Sequence, residues 1–218
     1  MRTGAFLLAL CLSAGSYAAT VTASGKLVEQ SRPVGDFQSI RSEGAWSLDV
    51  KVGPSPSLKI KADDNLLPLI ETRVDKGELL IRFKDESHSI SLKNSSTLRI
   101  EVTVPKLTAY QHEGAGKTVF HGLNGGPFAI NYEGAGLITA SGQVERLSVQ
   151  ASGAGSLDLD QLKARHATVS LAGVGTVSVY ASESLTAAVD GIGSLTYYGK
   201  PAKLSKAVSG IGSIRAGD

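Results

Sequence analysis

From residue 107 onward, apolar and polar residues alternate along the chain, and glycine interrupts the alternation at a fixed place. An apolar residue stands four positions after the glycine in most repeats, as at Leu157, Val177 and Leu195. Alternation with a period of two is typical of strands that bury one face. A Gly-x-Gly motif recurs with first glycines 18 to 20 residues apart, at Gly114, Gly116, Gly134, Gly136, Gly153, Gly155, Gly173, Gly175, Gly191, Gly193, Gly210 and Gly212.

The regular spacing predicts how these strands are arranged. One unit of about 20 residues cannot bury its own apolar face, so repeats of this length are expected to stack. Glycine accepts positive φ without steric cost and permits close backbone approach, which explains its return at one position. The sequence therefore predicts an all-β fold, a parallel β-solenoid (a right-handed β-helix) of about six to seven coils with Gly-x-Gly corners.

The first half of the chain has a different pattern. The stretch "FQSIRSEGAWSLDV" (37–50) matches the first full repeat, with Trp46 in place of the second glycine. Residues 54–104 are predicted to form a β-rich insert, with strands in "SLKIKA" and "STLRIEVTVP", a short turn or helical piece ended by Pro68, and a hairpin across residues 75–77. We expect this insert to flank the first coils, because an open end would expose unpaired strand edges.

Residues 1–18 have the pattern of a cleaved secretory signal. A basic start precedes an apolar run (residues 5–12), and small residues end the segment at Ala18. The run is too short to span a bilayer, and we expect no transmembrane segment later in the chain. The sequence predicts an exported protein, periplasmic or at the cell surface or secreted, with a single domain over residues 19–218.

Charge and cysteine content narrow the function classes. The one cysteine, Cys11, lies in the predicted signal, so the exported chain has no thiol for a disulfide or a metal site. Of 22 Lys and Arg residues one, Arg2, also lies there, which leaves 22 − 1 = 21 basic against 20 acidic residues. This balance lacks the basic surface of a nucleic-acid-binding protein, and we predict no nucleic-acid partner.

The stretch "HEGAGKTVF" (112–120) shares Gly-Lys-Thr with the phosphate-binding P-loop. The full motif needs a further glycine five residues before Gly116, where this chain has Gln111, and a helix that begins at the lysine. The residues that follow are β-branched and glycine-rich, without a helical period. We interpret the stretch as a corner of the repeat and predict no cofactor.

Paired carboxylates raise the enzyme alternative. Asp158 and Asp160 are expected on one strand face, and Glu113 and Glu133 in one stacked column, with Glu43 at the matching place upstream. Such pairs can hydrolyse glycosides, and their separation sets the mechanism. Acids on a solvated strand face need no catalytic role, however. We predict no catalytic residue, and a carbohydrate-active enzyme stays the alternative.

Metal and aromatic candidates are few. The repeat is twice as long as the calcium-binding nonapeptide and lacks its aspartates. The histidines are scattered, with no close pair at the ligand spacing of a helix, and we predict no metal site. His112 and His121 lie about half a repeat apart and stay the one pair that could share a metal. Tyr180, Tyr197 and Tyr198 form a local cluster that could stack on a sugar, although Tyr197 falls in a buried column.

Several of these features together resemble a known family. The Gly44-Ala45-Trp46 segment, the block "LKIKADDNLLPLIETRVDKGELLIRF", the strand "LRIEVTVPKL" and the Gly-x-Gly repeats look like the head GIN domain of putative autotransporter adhesins, over about residues 35–215. The resemblance implies an exported β-solenoid and, by its name, adhesion, and it supplies no catalytic residues. We expect a non-enzymatic envelope protein that binds or scaffolds, with a glycan or an envelope protein as partner.

The last repeat carries a further expectation. "SGIGSIRAGD" brings the sixth corner to the C-terminus, where Ile211 and Ile214 would leave the apolar interior partly uncovered. Repeat proteins usually need a polar terminal unit to stay soluble. We therefore expect a homo-oligomer formed through the C-terminal coil, or a partner that takes the place of the second copy.

Overall fold

The computed structural model describes residues 20–85, 89–91 and 98–218, and the predicted signal segment lies outside this part. Most of the described chain is strand. A 3-10 helix spans Leu67–Leu69, and among the described residues no helix has the length and apolarity needed to cross a membrane. The strands are β1 (Thr20–Thr22), β2 (Leu27–Arg32), β3 (Ser39–Val52), β4 (Ser57–Asp63), β5 (Ile70–Asp75), β6 (Glu78–Phe83), β7 (Ser89–Ser91), β8 (Arg99–Val104), β9 (Ala109–Tyr198) and β10 (Lys203–Ala216).

The main sheet follows the order β10-β9-β3-β8-β4-β2, with β6 also paired to β3 and β5 paired to β6. Strands β1 and β7 form a separate parallel pair. Strand β3 lies centrally: β9 runs along one side of it, while β6 pairs with residues 39–43 and β8 with residues 47–52. The N-terminal segments and the glycine repeats therefore share one sheet.

The repeats are aligned in parallel, glycine beside glycine. Gly44 of β3 pairs with Gly114 of β9, and Gly191 of β9 pairs with Gly210 of β10. A Cβ atom built on Gly134 would overlap the carbonyl oxygen of Gly114, so parts of β9 one repeat apart lie side by side. This close approach explains why the repeat keeps glycine at this position.

The fold class predicted from the repeats needs correction. An all-β chain is confirmed, but a parallel β-solenoid is wrong as a description, because the sheet is mixed and is not closed in the described chain. The pairs β2–β4, β4–β8 and β5–β6 are antiparallel. The spacing of the glycines predicts strand pairing only within the repeats. Outside the repeats, segments joined by a tight turn, such as β5 and β6, pair antiparallel.

The hairpin prediction is confirmed, and the helical piece differs in detail. Asp75 pairs with Glu78 across the turn, where Lys76 and Gly77 both have positive φ. Pro68 lies inside the 3-10 helix instead of ending it. Proline is tolerated there because the first turn of a helix does not need its N–H group.

Trp46 lies between the part of β3 that pairs with β6 and the part that pairs with β8. Its indole is 4 % exposed, lies over Gly44 and contacts the ring of Phe83 at a centroid distance of 5.2 Å. The indole N–H donates a hydrogen bond to Ser42 Oγ at 2.9 Å. In the described registers, Trp46 itself pairs with neither β6 nor β8. Its side chain therefore covers the part of β3 that lies between these two strands.

The core is one continuous apolar cluster that extends from the N-terminal strands through the repeats. Its repeat half consists of the positions on the inward face of β9, such as Leu157, Val177 and Leu195, which are at most 2 % exposed. Near β3 the core is aromatic: Phe120 makes edge-to-face contacts with Tyr110 and Phe128 at 4.9 and 5.5 Å. Removal of this apolar surface from water is the main stabilising contribution.

Candidate functional site

Two columns of polar side chains run across neighbouring repeats of β9. One, the amide column, consists of Gln111, Asn131 and Gln150, each three residues before a first glycine. The other, the carboxylate pair, consists of Glu113 and Glu133, each one residue before a first glycine. Since side chains two residues apart on a strand point to the same face, the two columns line the same outer face. The side chains between them, at His112 and Tyr132, are buried.

A cavity of about 380 Å³ lies between the two columns. Its lining combines polar side chains with alanines and aromatic rings, and it includes no lysine or arginine. The lining residues are Gln111, His112, Glu113, Asn131, Tyr132, Glu133, Gln150, Ala151, Ser152, Ser170 and Ala172. This cavity is formed entirely by residues of β9, so its shape depends on the alignment of successive repeats.

The carboxylate pair differs from the acid at the matching place on β3. Glu43 lies 3.8 Å from Arg41, and Arg41 also contacts Glu78 at 3.1 Å. Glu113 and Glu133 are exposed, and no ion pair or side-chain hydrogen bond of theirs is found within the described residues. Like charges directly opposite on neighbouring strands repel each other, so this edge of the cavity attracts hydrogen-bond donors and cations.

One arginine lies close to the cavity. Arg82 lines a neighbouring cavity of about 280 Å³ together with Glu43 and Glu113. Its guanidinium is bonded to Glu71, with 2.8 Å between Nε and Oε2. Glu133 lies one repeat further from this arginine and does not line the neighbouring cavity. The negative character of the main cavity is therefore most complete around Glu133.

A buried polar cluster lies beneath the N-terminal end of the cavity. The ring of His112 stacks on Tyr132 at 5.6 Å and on Tyr110 at 6.0 Å. Tyr110 shares a hydrogen bond of 2.7 Å with Thr118. Burial raises the pKa of both tyrosines and lowers the pKa of His112, although a hydrogen bond to the Ser42 backbone opposes the shift at His112.

His112 is therefore neutral around pH 7, and its Nδ1 atom has no hydrogen-bond partner among the described residues. The histidines have separate surroundings, and His112 is buried. His121 is exposed and lies 3.5 Å from Asp49, and His166 bonds Ser184 at 2.9 Å. The described part of the chain contains no group of three or more His, Cys, Asp or Glu side chains that could hold a metal ion.

The predicted corner glycines differ in backbone conformation. The first glycine of every motif has positive φ, from 93° at Gly210 to 134° at Gly134. Among the second glycines, Gly116 and Gly136 share this conformation, whereas Gly155, Gly175, Gly193 and Gly212 have φ outside the range from +20° to +160°. Positive φ, offered above as a reason for the glycines, is thus shared by both glycines of the motif only in the first two repeats.

The other predicted candidates are dispersed. Asp158 is exposed and Asp160 is half-buried, and neither lines the cavity. Tyr197 is buried, with Lys206 Nζ 4.6 Å from its ring centroid, and Tyr180 contacts Lys163 Nζ at 4.3 Å. These tyrosines are thus engaged with lysines of neighbouring repeats.

The amide column is the part of the site that the sequence pattern did not predict. Its signal was present, because Gln111, Asn131 and Gln150 each precede a first glycine by three residues. Alignment of the repeats on apolar and acidic positions alone leaves this column out. Only the juxtaposition of three repeats converts these separate polar residues into one wall of a cavity.

Comparison with solved structures finds similar folds in other bacterial proteins. A "putative adhesin" from Bacteroides fragilis superimposes with a TM-score of 0.72 at 23% identity, over 90% of this chain and 99% of that chain. A "putative adhesin" from Parabacteroides distasonis gives 0.57 at 18% identity, over 91% and 100%. A "Putative lipid binding protein" from the same species gives 0.54 at 22% identity, over 91% and 100%. At these identities the likeness shows the fold alone.

Comparison with curated proteins finds no significant match. The comparison with protein families does find one, and it spans most of the repeats and the insert. Residues 36–201 match the family described as "Putative auto-transporter adhesin, head GIN domain". That description agrees with an exported, adhesin-like protein. The match covers well over half of the chain, and the protein belongs to this head GIN domain family.

Proposed function

We propose that this protein is a non-enzymatic binding module of the bacterial envelope, which recognises its partner through the cavity between the amide column and the carboxylate pair. The observation that carries the proposal is the polar lining of that cavity, whose carboxylates have no partner within the described chain. Side chains on adjacent strands of one sheet are held at a fixed spacing of about 4.8 Å. The backbone positions of the array are thus fixed before binding, and only its side chains have to be ordered when a partner binds.

The enzyme alternative uses the same carboxylates. Glu113 and Glu133 stand on adjacent repeats, and a pair of carboxylates at short separation is the machinery of a glycosidase. Both are exposed to solvent, whereas an active site normally excludes water around its reacting groups. The geometry therefore favours binding over hydrolysis.

A lipid ligand suits the cavity poorly. One structural neighbour is named a "Putative lipid binding protein", but the cavity of this chain carries amides, carboxylates and hydroxyls beside its alanines and aromatic rings. An acyl chain would bury these polar groups without hydrogen bonds, which is costly. We therefore favour a polar partner.

Binding measurements on the exported protein would test the proposal. Immobilised protein is exposed to a glycan array and to purified envelope proteins, and every hit is remeasured with Asn131→Ala and with the control Asp158→Asn, which lies outside the cavity lining. We expect Asn131→Ala to weaken binding and Asp158→Asn to leave it unchanged. Partners whose affinity is the same for Asn131→Ala and the wild type would refute the assignment of binding to this face. Release of reducing sugar ends that stops in Glu133→Gln would establish the enzyme alternative instead.

A further inference from the structure

We propose that the cavity binds a linear glycan that carries no acidic groups and that lies along the column of repeats. This inference rests on the proposed binding function and adds to it the chemical class of the ligand. It follows from three features of the described residues: the hydrogen-bonding groups of the two walls, the sign of the charge, and the direction in which the polar groups repeat.

The amide column supplies both donors and acceptors. Each amide has two N–H donors and a carbonyl acceptor, so Gln111, Asn131 and Gln150 can both donate hydrogen bonds to hydroxyl groups and accept hydrogen bonds from them. Ser152 and Ser170 add two hydroxyls to the lining. A surface of neutral groups that donate and accept equally fits a polyhydroxyl chain, whose every hydroxyl also does both.

The carboxylate pair sets the charge selectivity. Ionised carboxylates only accept hydrogen bonds, so Glu113 and Glu133 require O–H or N–H donors from the ligand. No lysine or arginine lines the cavity, and nearby Arg82 is bonded to Glu71. An anionic ligand would therefore meet two like charges with no basic side chain in the lining, and the repulsion is strongest around Glu133, which disfavours binding. Neutral and amine-bearing sugars meet no such repulsion.

The repeat direction favours a linear chain. The polar pairs Gln111–Glu113 and Asn131–Glu133 are followed by Gln150 with Ser152 in the next repeat. Neighbouring strands of a sheet are about 4.8 Å apart, so a ligand that crosses the strands meets one polar pair at each step. The backbone groups of these strands are engaged within the sheet, so the face offers no edge to which a peptide strand could add.

The experiment compares matched oligosaccharides by calorimetry in low-salt buffer, where screening is weak. The probes are hexamers of N-acetylglucosamine, of glucosamine and of galacturonic acid, together with tetralysine. The protein is compared with the double variant Glu113→Gln/Glu133→Gln, which keeps the shape and removes the charge, and with Asp158→Asn. We expect both uncharged and amine-bearing hexamers to bind, and the uronic acid hexamer to bind at least about tenfold more weakly.

The double variant gives the sharper readout. Removal of both charges should strengthen binding of the uronic acid hexamer and weaken binding of the glucosamine hexamer about three- to fivefold per carboxylate, while Asp158→Asn changes neither. Uronic acid binding equal to that of the neutral hexamer, or tighter binding of tetralysine than of any sugar, would overturn the inference. If no sugar binds but an envelope protein binds in an Asn131-dependent way, the inference fails and the proposed function stands. If no ligand depends on Asn131, both fail.

Discussion

Replacement of Gly173 by alanine tests the close approach of the repeats at their glycine corners. Gly173 has φ of +127°, which side chains rarely adopt. A Cβ atom there would overlap the carbonyl oxygen of Gly153 and would lie 3.0 Å from Gly153 N. The substitution therefore combines backbone strain with a clash against a strand that cannot move independently.

The two contributions can be estimated separately. A residue held in a sparsely populated backbone region costs about 1–3 kcal/mol, and overpacking of a tightly packed site costs about 1–3 kcal/mol. Gly173→Ala should thus lower the free energy of unfolding by about 2–6 kcal/mol. With a urea m-value of about 2 kcal/mol/M, the unfolding midpoint would fall by roughly 1–3 M.

Three control variants separate these effects. Gly125 has φ of +102° and nothing within 4 Å of its built Cβ, so Gly125→Ala should show strain alone. Gly175 lacks positive φ, but its Cβ would overlap the carbonyl oxygen of Gly155, so Gly175→Ala should show the clash alone. Ser182 is exposed, and Ser182→Ala should change stability by less than about 0.5 kcal/mol.

Urea unfolding followed by circular dichroism measures all four variants under one condition. The expected order of destabilisation is Gly173→Ala first, then Gly125→Ala and Gly175→Ala, and Ser182→Ala last. An unfolding midpoint for Gly173→Ala equal to that of Ser182→Ala would refute the stacked-glycine geometry. A large loss in Gly125→Ala with none in Gly175→Ala would show that backbone strain matters and close approach does not.

Three further predictions concern pH, self-association and export. Burial lowers the pKa of His112 in the folded state below the ordinary 6.5, so the contribution of the neutral ring to stability is complete above pH 6.5 and is lost as the pH falls below that value. Urea unfolding at pH 5 and 8 should therefore show a smaller pH dependence of stability in His112→Phe than in the wild type. In the described chain β10 pairs with β9 alone, and Ile211 is 77% exposed. Light scattering should therefore find an oligomer that becomes a monomer in Ile211→Lys/Ile214→Lys, and a monomer for both the wild type and this variant would contradict the prediction. N-terminal sequencing of exported protein should find cleavage after Ala18, and an intact N-terminus would contradict the predicted signal.

The alternation of apolar residues was sufficient to predict the strand content, the hairpin at residues 75–77 and the buried faces of the repeats. Leu157, Val177 and Leu195 are buried as their spacing requires, and Asp75 pairs with Glu78. These features depend on residues that are close in sequence, because side-chain direction alternates along one strand and a tight turn joins neighbouring strands. The family resemblance, drawn from the same residues, is also confirmed.

Tertiary structure alone decided the mixed strand pairing and the cavity. The antiparallel pairs of β4 with β2 and β8 join segments tens of residues apart, and no periodicity in the sequence specifies such partners. Likewise, Gln111, Asn131 and Gln150 are separate polar residues until three repeats align them along one wall. A local pattern determines which face of a strand is buried, whereas the choice of neighbouring strand depends on the free energy of the whole sheet.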